Sequence, residues 1–179
     1  KKHNRREHLN DFHLNVAGEY VYDGALYACQ NDDAKQRRSK RAVWGMAAIL
    51  TVAVAAGGCI PAPGMQNCFY VLLPYLGEFL GAASVIWVLA KLGTDWSTVR
   101  EYNYKKSVAV LPVRTAVTAV FSLLGIVCEL IFFFVNDHAG QTFFALLYVL
   151  LKLIALLSVL VLRAEIMQAE WDKLPKKNN

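Results

Sequence analysis

Four apolar stretches, 42–58, 69–90, 116–135 and 143–162, reach or approach the ~20 residues that a helix needs to cross a hydrocarbon core of about 30 Å. Backbone groups in hydrocarbon have no water to bond, so a spanning segment of this length must satisfy its own N–H and C=O groups as a helix. The expected fold is therefore an all-α bundle of four transmembrane helices. Hydrophobic residues make up 56% of the chain and the mean hydropathy is +0.32, values that exclude an ordinary soluble domain.

The basic residues predict a direction for each pass. Nine Lys and Arg lie in 1–41, none in 42–90, five in 91–114, none in 115–151 and four in 163–177, which leaves Lys152 as the one inside a span. Cytoplasmic loops carry the excess of Lys and Arg, so both termini and the connection 91–111 are expected inside. The chain then divides into a basic cytoplasmic segment 1–41, a transmembrane domain 42–162 and a cytoplasmic tail 163–179. The third helix reaches back to 112, where Pro112 suits a first turn. A bacterial inner membrane is the expected location. The final Lys-Lys-Asn-Asn is similar to a dilysine retrieval signal, which makes a eukaryotic endomembrane the alternative.

Small and aromatic residues indicate how the helices pack. Ala47, Thr51 and Ala55 recur every four positions in the first helix, and Gly77-x-x-x-Gly81 lies in the second; small residues at this spacing let backbones approach in lipid. Trp44, Phe69, Tyr70 and Trp96 flank the apolar runs as interfacial anchors.

The aqueous segments offer three further readings. Asp23-Gly24 between β-favouring flanks predicts a small hairpin over 19–28. Lys35, Arg37, Arg38, Lys40 and Arg41 stand directly before the first span, so anionic lipid headgroups are the expected partner and nucleic acid is not. The connection 91–111 has Asp95 as a candidate cap and Trp96, Val99 and Tyr102 at three-residue spacing, which suits an interfacial helix or a loop helix covering the bundle base. His3, His8 and His13 have no completing ligands nearby, and His138 beside Asp137 suits a helix cap, so no metal or cofactor is expected.

Three ionisable residues interrupt the apolar runs: Glu78, Glu129 and Lys152. A mid-bilayer charge costs about 2.5 to 3.5 kcal/mol even on the lenient insertion scale, so these side chains should face the bundle interior and pair. Glu78 is nine residues from Phe69 and Lys152 nine from Phe143, which puts both about 13 to 14 Å below the same interface. Glu129 is six residues from Val135, at a depth of about 9 Å, still within reach of the Lys152 stem. Either carboxylate is a candidate partner. Thr115, Thr118, Ser122, Gly125 and Glu129 follow steps of three and four, with Tyr75 and Ala82 beside Glu78 and Tyr148 and Ala155 beside Lys152, so a polar seam between three helices is expected.

Cys59 and Cys68 bracket the first outer loop as a candidate disulfide, Cys128 lies at a similar depth, and Cys29 is expected inside and reduced. Outer-face cysteines on four helices are similar in layout to membrane thiol oxidases, which use a Cys-x-x-Cys pair that this chain lacks. Phosphate-cradling loops, Gly-x-Ser-x-Gly and His-Glu-x-x-His are also missing, so no catalytic residue is assigned. The expected function is that of an accessory or assembly subunit in a membrane complex, or of a homo-oligomer. The alternatives are an oligomeric transporter or channel using Glu78, Glu129 and Lys152, and a thiol-disulfide oxidoreductase.

Overall fold

The computed structural model describes residues 12–14, 20–22, 24–30, 32–93, 96–136 and 142–174. His3, His8, Asp95, Asp137 and His138, and the terminal Lys-Lys-Asn-Asn, lie outside them. Four long helices, α1 (Asp33–Cys59), α3 (Phe69–Leu92), α5 (Leu111–Val135) and α6 (Thr142–Gln168), are each long and apolar enough to cross a membrane. Around the bundle their order is α1, α6, α5, α3, with α1 against α3 the narrowest seam. The short helix α2 (Pro63–Asn67) follows α1 at one end of the bundle. At the other end are the strands β3 (Leu26–Cys29), β4 (Val99–Arg100) and β5 (Trp171–Lys173) and the short helix α4 (Glu101–Lys106).

Two helices run past their apolar stretches. α1 starts at Asp33, so the basic cluster 35–41 is helical, and α6 continues to Gln168. The extra turns are tied together by polar contacts: Ser39 Oγ donates to Glu165 at 2.9 Å, and the Arg163 guanidinium donates to the Pro112 carbonyl. Helical hydrogen bonds need only continued i to i−4 geometry, so a hydropathy boundary does not end a helix. α3 stops where Gly93 takes φ 70° and its N–H bonds the Leu89 carbonyl, a left-handed closure that glycine adopts without steric cost.

The inward face of α1 differs from the expected Ala47, Thr51 and Ala55. Ala47 is buried, but Thr51 and Ala55 point outward, and the packed face is Val43, Ala47, Leu50, Val54 and Gly57. A strict step of four advances about 40° around a helix of 3.6 residues per turn, so such a row leaves the seam within two steps. Alternating steps of three and four stay on it. Gly77 lies under the Phe121 ring and Gly81 against Thr118, which joins α3 to α5.

Two small sheets accompany the helices. β1 (Phe12–Leu14) pairs antiparallel with β2 (Tyr20–Tyr22), and β3 sits between β4 and β5 in a second sheet. The expected hairpin over 19–28 is therefore not formed: strands flank Asp23-Gly24, but β2 and β3 belong to different sheets. A lone two-stranded hairpin is marginal, whereas β3 gains two partners and an aromatic floor. Tyr27 stacks on Tyr104 with centroids 4.2 Å apart, Trp171 packs against both Tyr104 and Trp96, and the Lys40 ammonium lies 5.8 Å from the Trp96 ring. Trp96 and Val99 are buried in the core cluster with Cys29, Leu92 and Leu162. The connection before α5 thus covers the bundle base as a strand and a six-residue helix, and Trp96 is a core residue rather than an interfacial anchor. Trp44, Phe69 and Tyr70 are exposed.

Candidate functional site

The centre of the bundle holds one polar cluster built from three helices. Lys152 on α6 forms an ion pair with Glu78 on α3, the two side chains 2% and 0% exposed. Ser122 on α5 donates to the other Glu78 oxygen at 2.7 Å, and the same hydroxyl lies 3.3 Å from the Lys152 carbonyl oxygen. The Lys152 ammonium is 4.6 Å from the Tyr75 ring centroid and 5.1 Å from that of Tyr148, so aromatic faces shield its remaining sides. Its stem runs along Gly125. Tyr75 also ties α3 to α1, its hydroxyl donating to the Val54 carbonyl at 3.3 Å above Gly58.

Equal depth explains the choice of partner. Glu78 and Lys152 meet without displacing either helix, while Glu129 lies nearly two turns further along α5. Glu129 is fully buried; among the described residues no side chain bonds its oxygens, and the group facing them is the Gly64 backbone amide. Gly64 of α2 lies directly over it: a β-carbon there would collide with Glu129 Oε2 and touch Val71. The Tyr148 hydroxyl is likewise buried without a partner, within electrostatic reach of Glu78 and Glu129.

The expected seam is buried along its whole length, since Thr115, Thr118, Ser122, Gly125 and Glu129 are all inside. It is not a continuous row of free polar groups. Thr115 donates to the Leu111 carbonyl at 2.9 Å and Thr118 to the Arg114 carbonyl at 2.8 Å, which returns both hydroxyls to their own helix. Only Ser122 reaches across to another helix. Toward the sheet end, Leu50, Ala53, Val54, Ala82, Ala155 and Val159 form an apolar layer beside the cluster.

The remaining candidates are separate from this cluster. Cys59 and Cys68 are free thiols, Cys59 exposed at the end of α1 and Cys68 within electrostatic range of Cys128, so the candidate clip between them is not formed. Helix α2 stands between the two in sequence, and Cys68, as the cap residue of α3, sits near α5. Cys29 is buried and free. Lys35, Arg37, Arg38 and Arg41 are exposed along α1, with Lys40 partly covered. An open groove of about 560 Å³ is lined by Asp32, Ala34, Arg37, Arg38 and Arg41. Among the described residues no group of three or more His, Cys, Asp or Glu is placed to hold a metal.

Sequence reasoning missed the part played by α2. Pro63 in its first turn and Asn67, which donates to the Pro63 carbonyl at 2.9 Å, were the local signs of a short helix. Nothing local indicated that it would cover Glu129. Comparison of the chain with family models, curated proteins and solved structures finds no match.

Proposed function

We propose that this chain is a multi-pass membrane protein with both termini cytoplasmic, acting as an accessory or assembly subunit of a larger membrane complex without catalytic chemistry of its own. The observation that carries this reading is the closure of the central cluster. Lys152, Glu78 and Ser122 satisfy one another, and the two threonines bond their own backbone, so the polar groups hold α3, α5 and α6 in register instead of lining a route. A buried pair of this kind is best attested as a device for specifying register.

The exterior supports a membrane setting. Val52, Leu80, Val120 and Leu157 point outward on α1, α3, α5 and α6, and Ala47, Ala82 and Ala155 are among the residues packed inside, the arrangement expected of helices that meet lipid or partner helices. The orientation rests on the basic residues, which cluster at the sheet end, and the groove beside Arg37, Arg38 and Arg41 suits anionic headgroups of a cytoplasmic leaflet. A bacterial inner membrane fits this arrangement.

Affinity purification from the native membrane in mild detergent, followed by mass spectrometry of the intact particle, tests the reading. The expected result is a different membrane protein in fixed stoichiometry. A particle made of this chain alone would overturn the accessory role in favour of an oligomeric transporter or channel.

A further inference from the structure

Two polar groups beside the central cluster are not engaged by it: the Glu129 carboxyl, which faces the Gly64 backbone amide, and the Tyr148 hydroxyl, both fully buried and neither bonded to a side chain among the described residues. We propose that Glu129 is a proton-binding site, a carboxylic acid held neutral beneath α2 and exchanging its proton at that end of the bundle.

Among the described residues Glu129 has no counter-charge. Lys152 is the nearest cation by helix position, but its ammonium is engaged by Glu78 and flanked by two aromatic rings, and Glu78 is the one acidic group with which it interacts. The titratable groups facing Glu129 from the neighbouring elements are Tyr70 on α3 and Tyr148 on α6, with Cys68 and Cys128 close by, and none of them is a cation. An ionised carboxylate left alone in such surroundings neutralises instead of remaining charged. A hard metal ion is a poor alternative occupant. It asks for about six oxygen ligands, and the side chains of this site offer two carboxyl oxygens and two phenols.

The cover is built for exchange. α2 has five residues between extended positions at Ala62 and Cys68, and its Gly64 brings bare backbone against the Glu129 carboxyl. Lifting these five residues would open Glu129 to water without disturbing the Glu78 to Lys152 pair. The Tyr148 hydroxyl, buried, unbonded and within electrostatic range of both carboxyls, can take up a hydrogen bond from Glu129. The proposal does not depend on what partner the bundle has.

Infrared spectroscopy of the purified, reconstituted protein reads the proton directly. The expected result at neutral pH is a carbonyl stretch of a protonated carboxylic acid that is lost in Glu129→Gln and retained in Tyr148→Phe. Folded protein without that band, or with a band that survives Glu129→Gln, would overturn the assignment. Dicyclohexylcarbodiimide reads exchange, since a carboxylic acid O–H adds across its C=N bond to give an O-acylisourea, whose acyl group shifts from oxygen to nitrogen and leaves a stable N-acylurea on the residue. The expected product is a single adduct mapping to Glu129, formed at least tenfold more slowly in alkaline buffer, with Glu78 unmodified. Adduct on Glu78 alone would contradict the proposal. Protection by sodium but not by choline at equal ionic strength would replace the proton with a cation.

Discussion

Glu78 and Glu129 are the same residue in the same bundle, each with no exposed surface, yet their surroundings differ in kind. Glu78 has a cation on one oxygen and a hydroxyl on the other; Glu129 has the backbone of a short helix above it and no side-chain partner among the described residues. Burial alone does not distinguish them. What does is whether a neighbouring helix carries a complementary group at the same depth. Lys152 matches Glu78 in depth, and the stretch of α5 around Glu129 has no such match. The comparison separates a carboxylate used to join helices from one left chemically available.

The largest effect expected on this contrast comes from removing the cation. Lys152→Met should cost about 3 to 5 kcal/mol of stability, because it strands Glu78 as an uncompensated buried charge. Thermal unfolding in detergent would measure it, and adding Glu78→Gln to that variant should recover most of the loss. Glu129→Gln should cost far less than Lys152→Met. Equal losses for the two would erase the distinction.

Ser122→Ala should cost about 1.5 to 3 kcal/mol, the range for a hydrogen bond to a charged group, read in the same unfolding experiment. Gly64→Ala should cost about 1 to 3 kcal/mol by overpacking α2 against Glu129. Combining it with Glu129→Ala should relieve that penalty, and a cycle of the four proteins measures the coupling. Without coupling, α2 does not rest on Glu129.

The smallest effect lies at the opposite end. The Lys105 ammonium, 2.6 Å from Glu101, holds that carboxyl below the usual carboxylate range. Stabilisation from a depressed carboxyl is present above its ordinary range and is lost as pH falls through the folded value. For an exposed pair four residues apart this is about 0.3 to 0.5 kcal/mol. It should appear as a stability difference between wild type and Lys105→Met that vanishes on acidification.

The site was legible in the sequence to the extent that it depends on one helix at a time. Thr115, Thr118, Ser122, Gly125 and Glu129 alternate steps of three and four, close to the helical repeat, and all five are inside. Ala47, Thr51 and Ala55 looked equally regular, but their constant step of four turns away from the seam. Polarity was less legible than position: a threonine in a helix satisfies its hydroxyl on the preceding turn, so Thr115 and Thr118 line nothing. The small sheet was hidden for a different reason. Its strands come from 26–29, 99–100 and 171–173, and the second and third are strands only through pairing with the first.

Hydropathy by itself determined the four long apolar helices and the matching positions of Glu78 and Lys152 along them, because each is a property of a continuous stretch of chain. Only the tertiary structure decided that Lys152 takes Glu78 and not Glu129, that Cys59 and Cys68 stay apart, and that α2 covers Glu129. Those outcomes depend on the order of helices around the bundle and the rotation of each about its axis, and both are set by contacts between residues far apart in the chain.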